Sequence, residues 1–126
     1  MTLARDASLT IIERMEREPA FAKLMLDEAA SVFLNGEPNL SRAILHMLVQ
    51  ATVSFQGLAE LTSTPIDRLH DFLSMDGDPG MGMDLMASIF TAIGRHLGVT
   101  MQVRSVAAET RRAGLEAMTQ TRPDAA

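Results

Sequence analysis

Three histidines, His46, His70 and His96, are the side chains best suited to hold a metal or carry a proton, and they lie 24 and 26 positions apart. Helical zinc sites space their ligands roughly three to five residues apart, so these read as three unrelated histidines. His96 falls in the last turn before Gly98, where a cation or a donor to free carbonyls is favoured. Asp76, Asp78 and Asp84 imitate a calcium loop in composition alone, because the turn glycine and the closing glutamate are missing from the required offsets. The chain has no cysteine, which removes thiolate metal sites, disulfides and cysteine nucleophiles. No glycine-rich phosphate loop, nucleophile elbow or His-Glu-x-x-His helix occurs. Arg111-Arg112 reads as a solvated pair, too short for a nucleic-acid tail. Neither an enzyme nor a cofactor is expected.

The elements that would position any site are helical almost throughout. Leu9, Ile12 and Met15 form a short apolar stripe that ends near Glu18-Pro19. Phe21, Leu24, Met25, Ala29, Val32 and Phe33 repeat at helical spacing, with Pro19 in the first turn and Asn35-Gly36 as a C-terminal cap. Leu40, Ile44, Leu45, Leu48, Val49 and Thr52 make the next stripe, with Asn39 or Ser41 as candidate caps. The segments then shorten. Ser54 caps a helix over 55–62, and Thr64 caps a second one running to about Ser74, with Pro65 at its first position. Residues 75–80 are a dense turn signal, and the stripe Met81, Leu85, Met86, Ile89, Phe90, Ile93 and Leu97 follows. Val99, Met101 and Val103 alternate with Thr100, Gln102 and Arg104, which predicts one strand that needs a partner segment or subunit. The tail is expected to fray beyond Thr119.

At 126 residues the chain is expected to form one domain. Hydrophobic residues are 47% and charged residues 21%, which excludes general disorder. With no Trp, no Tyr, five Phe and ten Met, the core must be aliphatic and methionine-filled. The net charge of −5 disfavours nonspecific binding to nucleic acid or anionic lipid. There is no apolar run long enough to span a bilayer, and Met1–Asp6 lacks a signal-peptide pattern, so a soluble, cytoplasmic protein without membrane partners is expected.

Two short helices joined by about three residues and flanked by longer ones have the layout of a helix-turn-helix. A major groove admits one helix, and a preceding helix must cross it closely enough to hold it against base edges. Ala59 is small enough for that crossing, and Leu58 and Leu69 can meet beneath it, with Ile66 or Phe72 completing the contact. An ordinary helical hairpin fits the same pattern. The expected fold is all-α, a bundle of five or six helices containing a helix-turn-helix, with one short C-terminal strand. Residues 1–53 would be a helical extension packed on the same core, 54–104 the helix-turn-helix domain with its strand, and 105–126 a flexible tail.

The stretch Ala51-Thr52-Val53-Ser54-Phe55-Gln56-Gly57-Leu58-Ala59, followed by Thr64-Pro65, Leu69-His70 and Gly77-Asp78-Pro79, resembles regulators of the addiction-module antidote type. These are the HigA-like relatives of the phage repressor family. The long helix opening into a strand over Leu85–Val103 is similar to that family as well, and Arg17–Phe21 and Leu34–Glu37 resemble members with a helical extension. The resemblance implies operator DNA binding by a homodimer, repression of the protein's own operon, and a cognate toxin as protein partner. It also makes the second short helix the recognition helix, with Thr64, Ile66, Asp67, Arg68 and His70 facing DNA. Arg68 would pair with a guanine edge, His70 with a base or phosphate, and Ile66 with a thymine methyl. Ser54, Gln56 and the amides at the helix starts would hold phosphates.

The chain departs from that family in charge. Asp67 and Asp71 occupy the recognition helix where Lys or Arg is common, Gly77-Asp78-Pro79 replaces Gly-Asn-Pro, and Met83-Asp84 follows where basic or amide residues are usual. Ser63 stands where glycine would ease a left-handed turn, at about 1–2 kcal/mol. From Ala51 to Gly98 six acids face two bases, Arg68 and Arg95, leaving the segment at −4. Such a deficit weakens phosphate contacts. The alternative is therefore a repressor-fold module for protein interaction or toxin binding that has lost DNA binding.

Overall fold

A computed structural model describes residues 3–74 and 82–108, and six helices lie wholly within them. Helix α1 (Leu3–Arg17) stops before Pro19, as the proline requires. The corner is closed by Arg14, which pairs with Glu18 at 3.1 Å and lays its guanidinium 4.0 Å from the centroid of the Phe21 ring. Helix α2 (Pro19–Leu34) has its proline in the first turn and ends in a left-handed cap. Gly36 takes φ +90°, and the Glu37 amide donates to Val32 O at 2.8 Å. Helix α3 (Pro38–Ala51) then packs back along α2.

The face that α2 buries is Ala22, Leu26, Ala29 and Val32, while Leu24 is 61% exposed. The sequence stripe had placed Leu24 inside. The two alanines let α3 come close enough for the buried Ser41 hydroxyl to donate to Ala29 O at 2.8 Å. Ser41 is therefore an interhelical hydrogen-bond donor and not a helix cap; α3 already starts at Pro38, and neither Asn39 nor Ser41 caps it. Leu40 and Leu9 are exposed, and Ser41, Arg42, Ile44, Leu45, Leu48 and Val49 form the inner face of α3.

Helices α4 (Ser54–Thr62), α5 (Ile66–Phe72) and α6 (Met83–Leu97) complete the described order. One cluster of buried residues joins both halves of the chain: Met15, Leu26 and Leu45 share it with Leu58, Leu69, Phe72, Ile89 and Ile93. Helix α6 lies against α2 and α4. It ends where expected, with Gly98 at φ +72° and the Val99 amide donating to Gly94 O at 2.9 Å. Gly94 is needed for that closure, since a Cβ there would meet Val99 O at 3.3 Å.

Two expectations need correction. Among the described residues there is no strand: residues 99–107 run on from α6 without ladder hydrogen bonds. The alternation at Val99–Arg104 is real, but a strand exists only when paired, and no other segment of the described chain reaches it. The second short helix ends at Phe72 and not at Ser74. Met81 and the tail beyond Ala108 lie outside the described residues.

Candidate nucleic-acid interface

Helix α4 is bounded at its two ends by serines with positive φ. Ser54 has φ +69°, and its hydroxyl oxygen accepts the Gly57 amide at 3.1 Å, so it caps the N-terminus of α4 as its type suggests. At the other end Ser63 takes φ 53° and ψ 40°, and the Thr64 amide donates to Ala59 O at 3.1 Å. Ser63 thus occupies the glycine position of a helix stop. The Thr64 hydroxyl donates to Thr62 O at 3.1 Å, and Pro65, at φ −59°, leads directly into α5.

Residues 63–65 thus turn the chain between a nine-residue helix and a seven-residue one. Leu58, Leu69, Phe72 and Leu73 are buried beneath the corner. Phe72, and not Ile66, completes that contact, since Ile66 is 40% exposed. The outward face of α5 consists of Ile66, Asp67, Arg68, His70 and Asp71. Ser54 and Gln56 are exposed at the start of α4, and Thr64 is half-buried between the helices. Of the seven residues expected at a DNA surface, Thr64, Ile66, Asp67, Arg68 and His70 lie in the turn or on α5, and Ser54 and Gln56 lie at the start of α4. Arg68 makes no ion pair among the described residues. The amides of Phe55 and Gln56 precede the capped Gly57 amide in the first turn, where no intrahelical carbonyl is available.

His70 is exposed and also makes a ring contact. Its ring stacks on Phe55 with centroids 3.9 Å apart and planes 15° apart. His46 of α3 completes the cluster, at 5.0 Å from Phe55 and 5.8 Å from His70. His46 and His70 are therefore not unrelated, and their separation of 24 positions hid the contact because it is made between α3 and α5. Burial holds the His46 imidazole below its usual value, and charge on His70 lowers it further. Among the described residues no group of three or more His, Cys, Asp or Glu is arranged to hold a metal ion.

Arg42 is a second feature the sequence did not mark. It is 6% exposed, donates from a terminal nitrogen to Asn39 Oδ1 at 2.9 Å, and lies 5.8 Å from the Phe72 ring centroid. Its Nε is buried without a partner. Its charge therefore backs the C-terminal end of α5 from inside. No family model, curated protein or solved structure matches the chain. No helix among the described residues is long and apolar enough to cross a membrane.

Proposed function

We propose that the protein is a helix-turn-helix regulator that reads operator DNA with α5, as a homodimer. The observation that carries this is the tight left-handed junction at Ser63, which anchors α5 by Leu69 and Phe72 while leaving Ile66, Asp67 and Arg68 facing outward. Arg68 is the sole Lys or Arg between Ser54 and Gly94, so it is the cation available to a guanine edge. Ser54, Gln56 and the first-turn amides of α4 supply phosphate contacts beside it. Thr64 and His70 serve the corner itself.

Dimerisation is supported by the far side of the molecule. Phe33, Leu34, Met83, Phe90, Met101 and Val103 line an apolar groove between α2, α6 and the segment after α6. Leu34, Met83 and Val103 are 58%, 65% and 72% exposed. No backbone group of residues 100–106 is hydrogen-bonded within the described chain. Antiparallel pairing of two copies centred on Met101 sets Val99 opposite Val103, so the apolar face meets itself and the two facing edges are satisfied. The resemblance adds a cognate toxin as a further protein partner.

Asp67 and Asp71 on the same outward face favour a second reading, a repressor-fold module that binds a protein and not DNA. Fluorescence anisotropy on the chain's own upstream DNA at two salt concentrations separates the two. For a regulator, Arg68→Ala costs about 1–3 kcal/mol and relaxes preference at one base position. Asp67→Lys raises affinity for any sequence and steepens the salt dependence by about one phosphate equivalent. An interaction module shows no preference at low salt, and Arg68→Ala changes nothing.

A further inference from the structure

We propose that His46, Phe55 and His70 form a proton-operated latch that holds α5 against α3 while the imidazoles are neutral and loosens it when both are charged. The three rings come from three different helices, α3, α4 and α5, and meet within 5.8 Å of one another. With seven residues, α5 is too short to persist unaided. Its attachment rests on two buried side chains, Leu69 and Phe72, and on the stack of His70 against Phe55. A single imidazolium against the Phe55 face is tolerated as a cation on a ring. Two imidazolium rings at the His46–His70 distance repel each other across the junction between α3 and α5.

The carboxylates near that pair are exposed to solvent, which screens them. His46 opens onto a cleft of about 500 Å³ whose other walls are Ser8, Leu9 and Ile12 of α1, Ala43, Met47 and Gln50 of α3, and Leu73 and Ser74 beyond α5. None of these titrates. The acids of the neighbouring helices, Glu13 and Glu16 on α1, Glu60 on α4, and Asp67 and Asp71 on α5, are all exposed, and burial and His70 are what lower His46. Arg42, one turn before His46 on α3, is buried against Phe72 and adds no negative charge.

The sign follows from linkage. A histidine whose folded value lies below its unfolded one favours the fold when neutral. The contribution is complete above the ordinary imidazole value of 6.5 and is lost as pH falls from there through the lowered value.

The free, full-length protein tests this without DNA, so the outcome does not depend on the regulator reading. Imidazole proton resonances followed by NMR from pH 8 to pH 5 are expected to show His46 titrating below the ordinary imidazole value. In His70→Gln the His46 midpoint is expected to move up. Amide exchange over Ile66–Phe72, corrected for intrinsic rate and referred to α2, is expected to speed up by about tenfold for each tenfold change in proton affinity that the latch stores. His46→Gln, which keeps a polar side chain and cannot titrate, is expected to abolish that acceleration. A His46 midpoint unmoved by His70→Gln would overturn the latch. So would protection of α5 that is independent of pH in the wild type, or an acid response that persists in His46→Gln.

Discussion

Ser54 and Ser63 both hold left-handed backbones, at φ 69° and φ 53°, yet they bear on stability with opposite signs. Ser63 makes no side-chain hydrogen bond and pays the Cβ crowding of that conformation, about 1–2 kcal/mol. Glycine there removes the strain and returns part of the gain as unfolded-state entropy, so Ser63→Gly should stabilise by about 0.5–1 kcal/mol. Ser54 instead accepts the Gly57 amide, and Ser54→Ala keeps the strain while losing the cap, a loss of about 1 kcal/mol. Thermal melts followed by circular dichroism at 222 nm should move up for the first variant and down for the second. Both positions were legible in the sequence, one as a cap type and one as a missing glycine. Ser41, Arg42 and the His46–His70 pair were not. Their roles depend on which helices lie side by side, and residue type carries no trace of that.

Helix order, the proline starts and the Asn35-Gly36 and Gly98 stops were readable because each depends on backbone chemistry within a few residues. The buried faces were less so. Helix α2 carries Phe21, Ala22, Leu24, Met25 and Leu26 in its first two turns, so apolar side chains surround it and the period alone does not choose a side. The choice went to Ala22 and Ala29, where small side chains admit α3, and Leu24 was left outside. The segment after α6 failed for a different reason: its strand pattern asks for a second chain. If that chain is another copy, Val103→Lys places a charge on the apolar face that must meet itself. Sedimentation at tens of micromolar should show a dimer for the wild type and a monomer for Val103→Lys, with unchanged helical circular dichroism. A wild-type monomer at that concentration would remove the paired-strand dimer.

Across the whole molecule the all-helical class could be read ahead, while the C-terminal strand is not formed among the described residues. A single core ties the helices together, and five of the residues expected at a DNA surface lie in the 63–65 turn or on α5. The charge on that corner is another matter. The chain is at −5, the segment from Ala51 to Gly98 is at −4, and the outward face of α5 carries Asp67 and Asp71 around one arginine. Binding dominated by phosphate contacts is therefore weak, and whatever preference exists must come from Arg68 and its neighbours. The most direct measurement is an NMR titration of the isotope-labelled chain with the duplex upstream of its own reading frame, beside a shuffled duplex, at low salt. If α5 reads DNA, amide shifts concentrate on Ser54–Gln56 and Thr64–His70 and are larger for the upstream duplex. Shifts absent from α5, or equal for the two duplexes, would contradict it.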